Sequence, residues 1–332
     1  MDPQQLAERL ADFLRRSHDA RSVHIEDLRL LTGGASRQTW AFDAVMGGET
    51  LPLVLRSNPR GGSPMQQETE YRLLEAAHEA GVPVPKVHLL GDESLGAPFF
   101  LMERVEGETI PRRLLRDDEY AQARDVMAEQ LGGILAKIHA IPLESRGLAT
   151  LPTPGPDATP AETEIDRHEQ VYRALTPEPH PAFELAFRWL RERAPAAIRV
   201  TLVHGDYRIG NVIFGREGTR AILDWELAHA GDPMEDLGWM CVRSWRFGSD
   251  ELAAGGIGTR ESLFAAYEAA GGIAVDAEHV RFWEAFGNLR WGITCIVQAN
   301  AYLRGASASA ELASIGRRIA ETEWELLEIM GR

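Results

Sequence analysis

Cysteine is almost missing from this chain: only Cys241 and Cys295 occur among 332 residues. They lie far apart in sequence, so no disulfide framework can form, and neither stands at a metal-ligand spacing. A reducing compartment, with the cytoplasm as the default location, is the expectation. No uninterrupted apolar stretch of about 18 residues occurs either. The opening MDPQQLAERLADFLRRSHDA reads as an amphipathic helix without the apolar run of a signal segment, so no membrane partner is expected. Runs of Lys and Arg are also missing, and the net charge is −15. A phosphate backbone requires a basic face, so nucleic acid is excluded as a partner, while a local basic residue still suits a small anion. Internal repeats and low-complexity tracts are absent.

What the chain does have is core. Its 44% hydrophobic content over 332 residues is enough for one large domain or two lobes of a soluble globular protein. The first hundred residues read as strands around one helix. LRLLTGGASRQTWAFDAV is strand, turn, strand, with Gly33 and Gly34 allowing the turn, and LPLVLRS (51–57) is a third strand. MQQETEYRLLEAAHEAG has Tyr71, Leu74 and Ala77 at helical spacing and Gly81 as its stop, and VPVPKVHLLG and PFFLMERV are two further strands. Beyond VEGE the pattern turns helical. Val126, Met127, Gln130, Leu131, Ile134, Leu135 and Ile138 mark a core helix, and residues 141–162 are a Pro-rich loop. Helices are expected near 165–175, 183–193, 260–271, 277–303 and 311–330. The boundary falls at 103–107, which gives lobes of 1–104 and 105–332.

Between two apolar runs stands LVHGDYRIGNVIF (202–214). Polar residues between core strands are costly unless they are paired or used. His204, Asp206 and Asn211 reproduce the spacing of a kinase catalytic loop, in which the Asp receives the hydroxyl proton and the Asn holds metal. Thirteen residues after Asn211, the strand AILDWE ends in Asp224. A hairpin through GREGTR returns Asp224 beside Asn211, pairing two hard oxygen ligands suited to Mg2+. Phosphoryl transfer is the chemistry that needs such a set, because it asks the protein mainly for positioning and for cations on the phosphates.

LVHGDYRIGNVIF followed by AILDWELAHAGDPMEDLGW resembles the aminoglycoside phosphotransferase family of small-molecule kinases. The stretch VLR…EYRLLEAAHEAGVPVPKV…GAPFFLMERVEGE is similar to its acyl-CoA-dehydrogenase-associated branch. The resemblance runs from about residue 28 to 300. It implies an α+β, protein-kinase-like two-lobed fold, with a small antiparallel-sheet N-lobe, a mainly helical C-lobe, and ATP or GTP in the cleft. It also implies Asp206 as the catalytic base, Asn211 and Asp224 as Mg2+ ligands, and MERV as the hinge. There the Glu103 carbonyl and the Val105 N–H would face the adenine edge. The family usually places Lys on the third strand, where this chain has Arg56; its planar fork suits phosphate oxygens with altered geometry. Glu70 is its expected helix partner, with Glu68 the alternative. TGGASRQT is not G-x-G-x-x-G, but amides near Ala35 and the Ser36 hydroxyl suit a phosphate cap. The implied acceptor is a hydroxylated metabolite or antibiotic, such as a hydroxyacyl-CoA or a polycationic aminoglycoside.

Plainer readings compete at several positions. His204 reads better as a loop-holding residue than as a catalyst, Arg56 also reads as a solvated strand-end charge, and Glu70 as an ordinary helix residue. Asp232 and Asp236 read as capping and loop-holding residues. The stripe Phe282, Phe286, Leu289, Ile293 and Ile296 is helix core. Trp239, Arg243 and Trp245 are candidates for an acceptor pocket. A protein kinase is disfavoured because GDPMEDL follows Asp224 almost at once, leaving no activation segment. A nucleotide-binding module without phosphotransfer stays open because of Arg56.

Overall fold

Alternation of apolar side chains along three strands decides which way the first half of the chain faces. The protein is described by a computed structural model covering residues 2–31, 38–58, 65–145, 147–175 and 179–331. Its sheet comprises β1 (Val23–Leu31), β2 (Gln38–Met46), β3 (Glu49–Ser57), β4 (Val87–Gly91) and β5 (Phe99–Glu103). The spatial order is β1-β2-β3-β5-β4, with every neighbouring pair antiparallel. Phe42, Leu53, Leu55, Phe99 and Leu101 pack on one face against Leu6, Leu10 and Leu14 of helix α1 (Pro3–Ser17). The intervening Ala41, Val54, Phe100 and Met102 bury against Leu73, Leu74 and Ala77 of α2 (Gln67–Glu79). Side chains alternate with period two, so Arg56, two residues beyond Val54, leaves the sheet on the α2 face. It stands opposite Thr39 of β2 and Phe100 of β5. The turn expected at Gly33 and Gly34 lies outside the described residues.

The rest of the chain is mainly helical: α3 (Pro111–Arg116), α4 (Ala121–His139), α5 (Pro160–Leu175), α6 (Pro181–Arg193), and two small antiparallel ladders that interrupt the series. β6 (Thr201–Val203) pairs with β9 (His229–Gly231), while β7 (Val212–Gly215) and β8 (Gly218–Ile222) form the hairpin expected from the sequence. Then come α7 (Met234–Cys241), α8 (Arg260–Ala269), α9 (Ala277–Leu303), α10 (Ala310–Ile315) and α11 (Ile319–Gly331). Phe282, Phe286, Leu289, Ile293 and Ile296 of α9 are all buried, as their spacing requires. The single helix expected over 311–330 is instead broken by a 3-10 turn at Gly316–Arg318. Glycine is a poor helix former, and here it lets the chain turn closely against Ala299 of α9. Among the described residues, no helix is long and apolar enough to cross a membrane.

Candidate active site

The segment after β6 is fixed by its backbone first. Gly205 has φ +79°, and a Cβ there would come 2.4 Å from the Leu227 carbonyl oxygen, so only glycine fits between His204 and Asp206. Asp236 of α7 accepts both amides of this turn, from His204 N at 2.7 Å and Gly205 N at 2.9 Å. His139 Nε2 meets the same carboxylate at 3.1 Å, and His139 Nδ1 lies 2.9 Å from the Tyr267 hydroxyl. Burial works against charge on Asp236, but His139 and the amides hold its pKa below the ordinary carboxylate value. His204 is fully buried, and burial lowers its pKa. The neutral ring donates from Nε2 to the Leu223 carbonyl at 3.1 Å and accepts the Asp206 amide on Nδ1 at 3.1 Å. It therefore ties the loop to the residue before Asp224, a structural job.

Three donors converge on the Asp206 carboxylate, whose side chain is 13% exposed. Oδ1 accepts from Arg208 Nε at 3.0 Å and from Trp239 Nε1 at 2.8 Å, and Oδ2 accepts from Asn211 Nδ2 at 2.6 Å. The Asn211 carbonyl in turn accepts the Leu223 amide at 2.8 Å, which closes the hairpin and brings Asp224 alongside. Asp224 adopts the left-handed conformation, φ 66° and ψ 59°, an uncommon state for a residue other than glycine. Its Oδ1 lies 3.1 Å from a terminal nitrogen of Arg56, while Arg56 Nε lies 2.9 Å from Glu70 Oε1. Burial disfavours the guanidinium, yet Glu70 and Asp224 outweigh it and raise the Arg56 pKa. Glu70 is buried and Glu68 exposed. Arg56 thus joins the sheet, α2 and the Asp224 turn through one side chain.

Asn211 and Asp224 also suit a hard cation. Asn211 spends its Nδ2 on Asp206, and no hydrogen bond reaches its Oδ1 among the described residues. Asp224 is the more open partner, with a side chain 38% exposed. An amide oxygen and a carboxylate, carried on the two sides of one hairpin, are a donor set that magnesium accepts. At the end of β5, Pro52 takes the Arg104 amide and Lys86 takes the Glu103 amide, while the Val105 N–H donates to no partner among the described residues. Ser36 lies outside the described residues. Of the three candidates for the acceptor side, Trp239 touches Asp206 directly, and Trp245 lies beneath the Arg208 guanidinium at 4.8 Å. Arg243 points elsewhere, pairing with Asp250 and Glu325.

A second buried cluster comprises Glu164, His229 and Glu235, whose ligand atoms lie within 4.8 Å of one another. Arg167 pairs with Glu164, and Arg290 lies 3.3 Å from Glu235. Burial alone would depress the His229 imidazolium, but Glu235 and Glu164 overcome it and hold its pKa at about 9. Positive charge already balances both carboxylates, so this is an ion-pair network rather than a metal centre. Sequence reasoning did not find Arg290, which donates to the Gly205 carbonyl at 2.6 Å. Its only sequence signal is a charge within a run of apolar α9 positions.

Residues 27–277 match the profile of the Phosphotransferase enzyme family, APH. The chain belongs to this family. It is a phosphotransferase of kinase-like α+β fold. Mouse acyl-CoA dehydrogenase family member 10 is 32% identical over 294 residues, which cover 82% of this chain and 27% of that protein. The phosphotransferase chain therefore spans about a quarter of the length of that curated relative. A solved structure from Ralstonia eutropha, assigned as an aminoglycoside phosphotransferase, is 27% identical, covers 98% of both chains and superposes with a TM-score of 0.76. The aminoglycoside phosphotransferase APH(4)-Ia, solved with AMP-PNP and hygromycin B, shares the fold at 18% identity, with 98% of both chains covered and a TM-score of 0.63.

Proposed function

We propose that this phosphotransferase moves the γ-phosphate of ATP or GTP onto the hydroxyl of a small metabolite, with Asp206 as the base. The observation that carries the reading is the convergence of Asp206, Asn211 and Asp224, joined through the 2.6 Å contact of Asn211 with Asp206 and the bond from Leu223 to Asn211. The acceptor hydroxyl gives its proton to Asp206 Oδ2 while its oxygen attacks the γ-phosphorus. The bond to the bridging oxygen breaks, and the nucleoside diphosphate leaves with the electron pair. Asn211 and Asp224 are the residues to hold Mg2+, which when bound neutralises charge on the phosphates. Arg56, steadied by Glu70, clamps phosphate oxygens. The Glu103 carbonyl and Val105 N–H face the base edge, with residues 1–104 as the nucleotide lobe and 105–332 as the acceptor lobe.

The acceptor side of Asp206 favours one substrate class over the other. Its neighbours are Arg208 and Trp239, followed by Trp245, Trp291 and Arg318, with ring separations of 5.1 Å and 4.9 Å along the three indoles. Arg208 and Arg318 are each paired with a carboxylate, Asp206 and Glu321, yet their guanidinium groups and the indoles between them form a surface that suits an anionic acceptor such as a hydroxyacyl-CoA thioester better than a polycationic aminoglycoside. A phosphate-transfer screen tests this, using hydroxylated metabolites, hydroxyacyl-CoA thioesters and aminoglycosides with ATP and GTP in parallel. Transfer to anionic acceptors that Asp206→Asn abolishes is the expected result. Transfer confined to aminoglycosides overturns the acceptor class, and nucleotide binding without transfer to any acceptor overturns the kinase reading.

A further inference from the structure

The donors around Asp206 are not equivalent. Arg208 and Asn211 belong to the same loop, whereas Trp239 arrives from α7. Its position there is over-determined. A Cβ on the preceding Gly238 would come 2.5 Å from Trp283 Cβ, so α7 lies hard against α9 and the Trp239 ring is 4% exposed. The Arg290 guanidinium lies 4.4 Å from the centre of that ring, donates to the Gly205 carbonyl at 2.6 Å, and is held by Glu235. One buried cation therefore grips both the indole and the backbone beside the base.

We infer that Trp239 is a positioning residue for phosphoryl transfer: its indole N–H fixes the Asp206 carboxylate so that Oδ2, not Oδ1, faces the acceptor hydroxyl, and Arg290 holds the indole in place. The inference rests on the reading of Asp206 as the base. An ionised carboxylate offers about four lone-pair directions. Arg208 and Trp239 take both on Oδ1, and Asn211 takes one on Oδ2, which leaves a single acceptor direction. An indole is a donor only, so Trp239 cannot compete for the proton that Asp206 receives. It stops the carboxylate from turning.

Two readouts test it on the full chain. In 15N spectra, the indole resonance lost in Trp239→Phe identifies Trp239; in Asp206→Ala that resonance should move and exchange faster with solvent. An unmoved resonance overturns the inference without reference to activity. Kinetics use Mg·ATP with water as acceptor, read by phosphate release. Trp239→Phe, and the benzothiophene isostere of tryptophan at 239, which removes the N–H while keeping the ring shape, should lower kcat about ten- to a hundredfold. KM for ATP should stay unchanged, so that the loss falls on kcat alone. A wild-type rate in both variants, with Asp206→Asn inactive, overturns the positioning role alone. Wild-type turnover in Asp206→Asn overturns the base assignment itself.

Discussion

Two aspartates that meet at one hairpin live in opposite surroundings. Asp206 is 13% exposed and receives three donors, while Asp224 is 38% exposed, sits on a left-handed backbone and is held by Arg56. The difference follows from what each would do. A group that takes a proton must present one oxygen in one orientation, so its other lone pairs are tied down. A group that joins a hydrated cation must keep oxygen accessible and accept a change of partner. Damage around Asp206 should therefore slow transfer with nucleotide binding intact, and damage around Asp224 and Arg56 should weaken nucleotide binding.

The largest effect is expected at Asp224, the charged member of the proposed magnesium pair. Asp224→Ala should abolish metal-dependent nucleotide binding in titration calorimetry; unchanged affinity would reduce Asp224 to a hairpin residue. Asp236→Ala comes next, on the rigid side of the comparison. It strands the buried amides of His204 and Gly205 together with His139, so a loss of roughly 3–5 kcal/mol in unfolding experiments is expected. A loss below about 1 kcal/mol would show that the loop is held elsewhere.

Arg56→Ala should weaken ATP binding about ten- to a hundredfold and leave adenosine binding nearly untouched, because a charge-assisted bond to phosphate contributes about 1.5–3 kcal/mol. Arg56→Lys should recover part of the loss, since the charge returns without the fork. Glu70→Ala should give a smaller defect, and the double variant should fall short of the sum. Equal loss of ATP and adenosine in Arg56→Ala would point to a fold defect instead of a lost clamp. The smallest effect is a pH dependence of stability. His229 has its pKa raised from 6.5 to about 9, so its contribution is complete below 6.5 and is lost as pH rises through 9. The difference in Tm between wild type and His229→Gln should shrink over that window in calorimetry, and a constant difference would mean that the imidazolium is not what stabilises the network.

Where the sequence could be read, the relevant contacts were local. His204, Asp206 and Asn211 lie on the short segment that leads into the β7–β8 hairpin, whose return reaches Asp224, so residue order alone places them together. Arg56 and Glu70 were legible as a pair through the family resemblance, with Glu68 as the alternative, though the bridge from Arg56 to Asp224 spans 168 positions. The supports of the site were harder to find. Trp239 lies 33 positions from Asp206, and Arg290 lies 85 from Gly205. All eight residues of α7 are buried, so that helix shows no amphipathic contrast to say which face carries Trp239. The pairing of β6 with β9, which carries His229 into the core, likewise depends on packing. Nothing local announces it.

The central claim is that Asp206 acts in the transfer step and not in nucleotide binding. Measuring the single-turnover transfer rate and the Mg-nucleotide Kd on the same preparation of Asp206→Asn separates the two. The account predicts a rate lowered at least about a hundredfold with Kd near wild type, as expected for loss of a positioned base. A near-wild-type rate, or a loss confined to Kd, would contradict it.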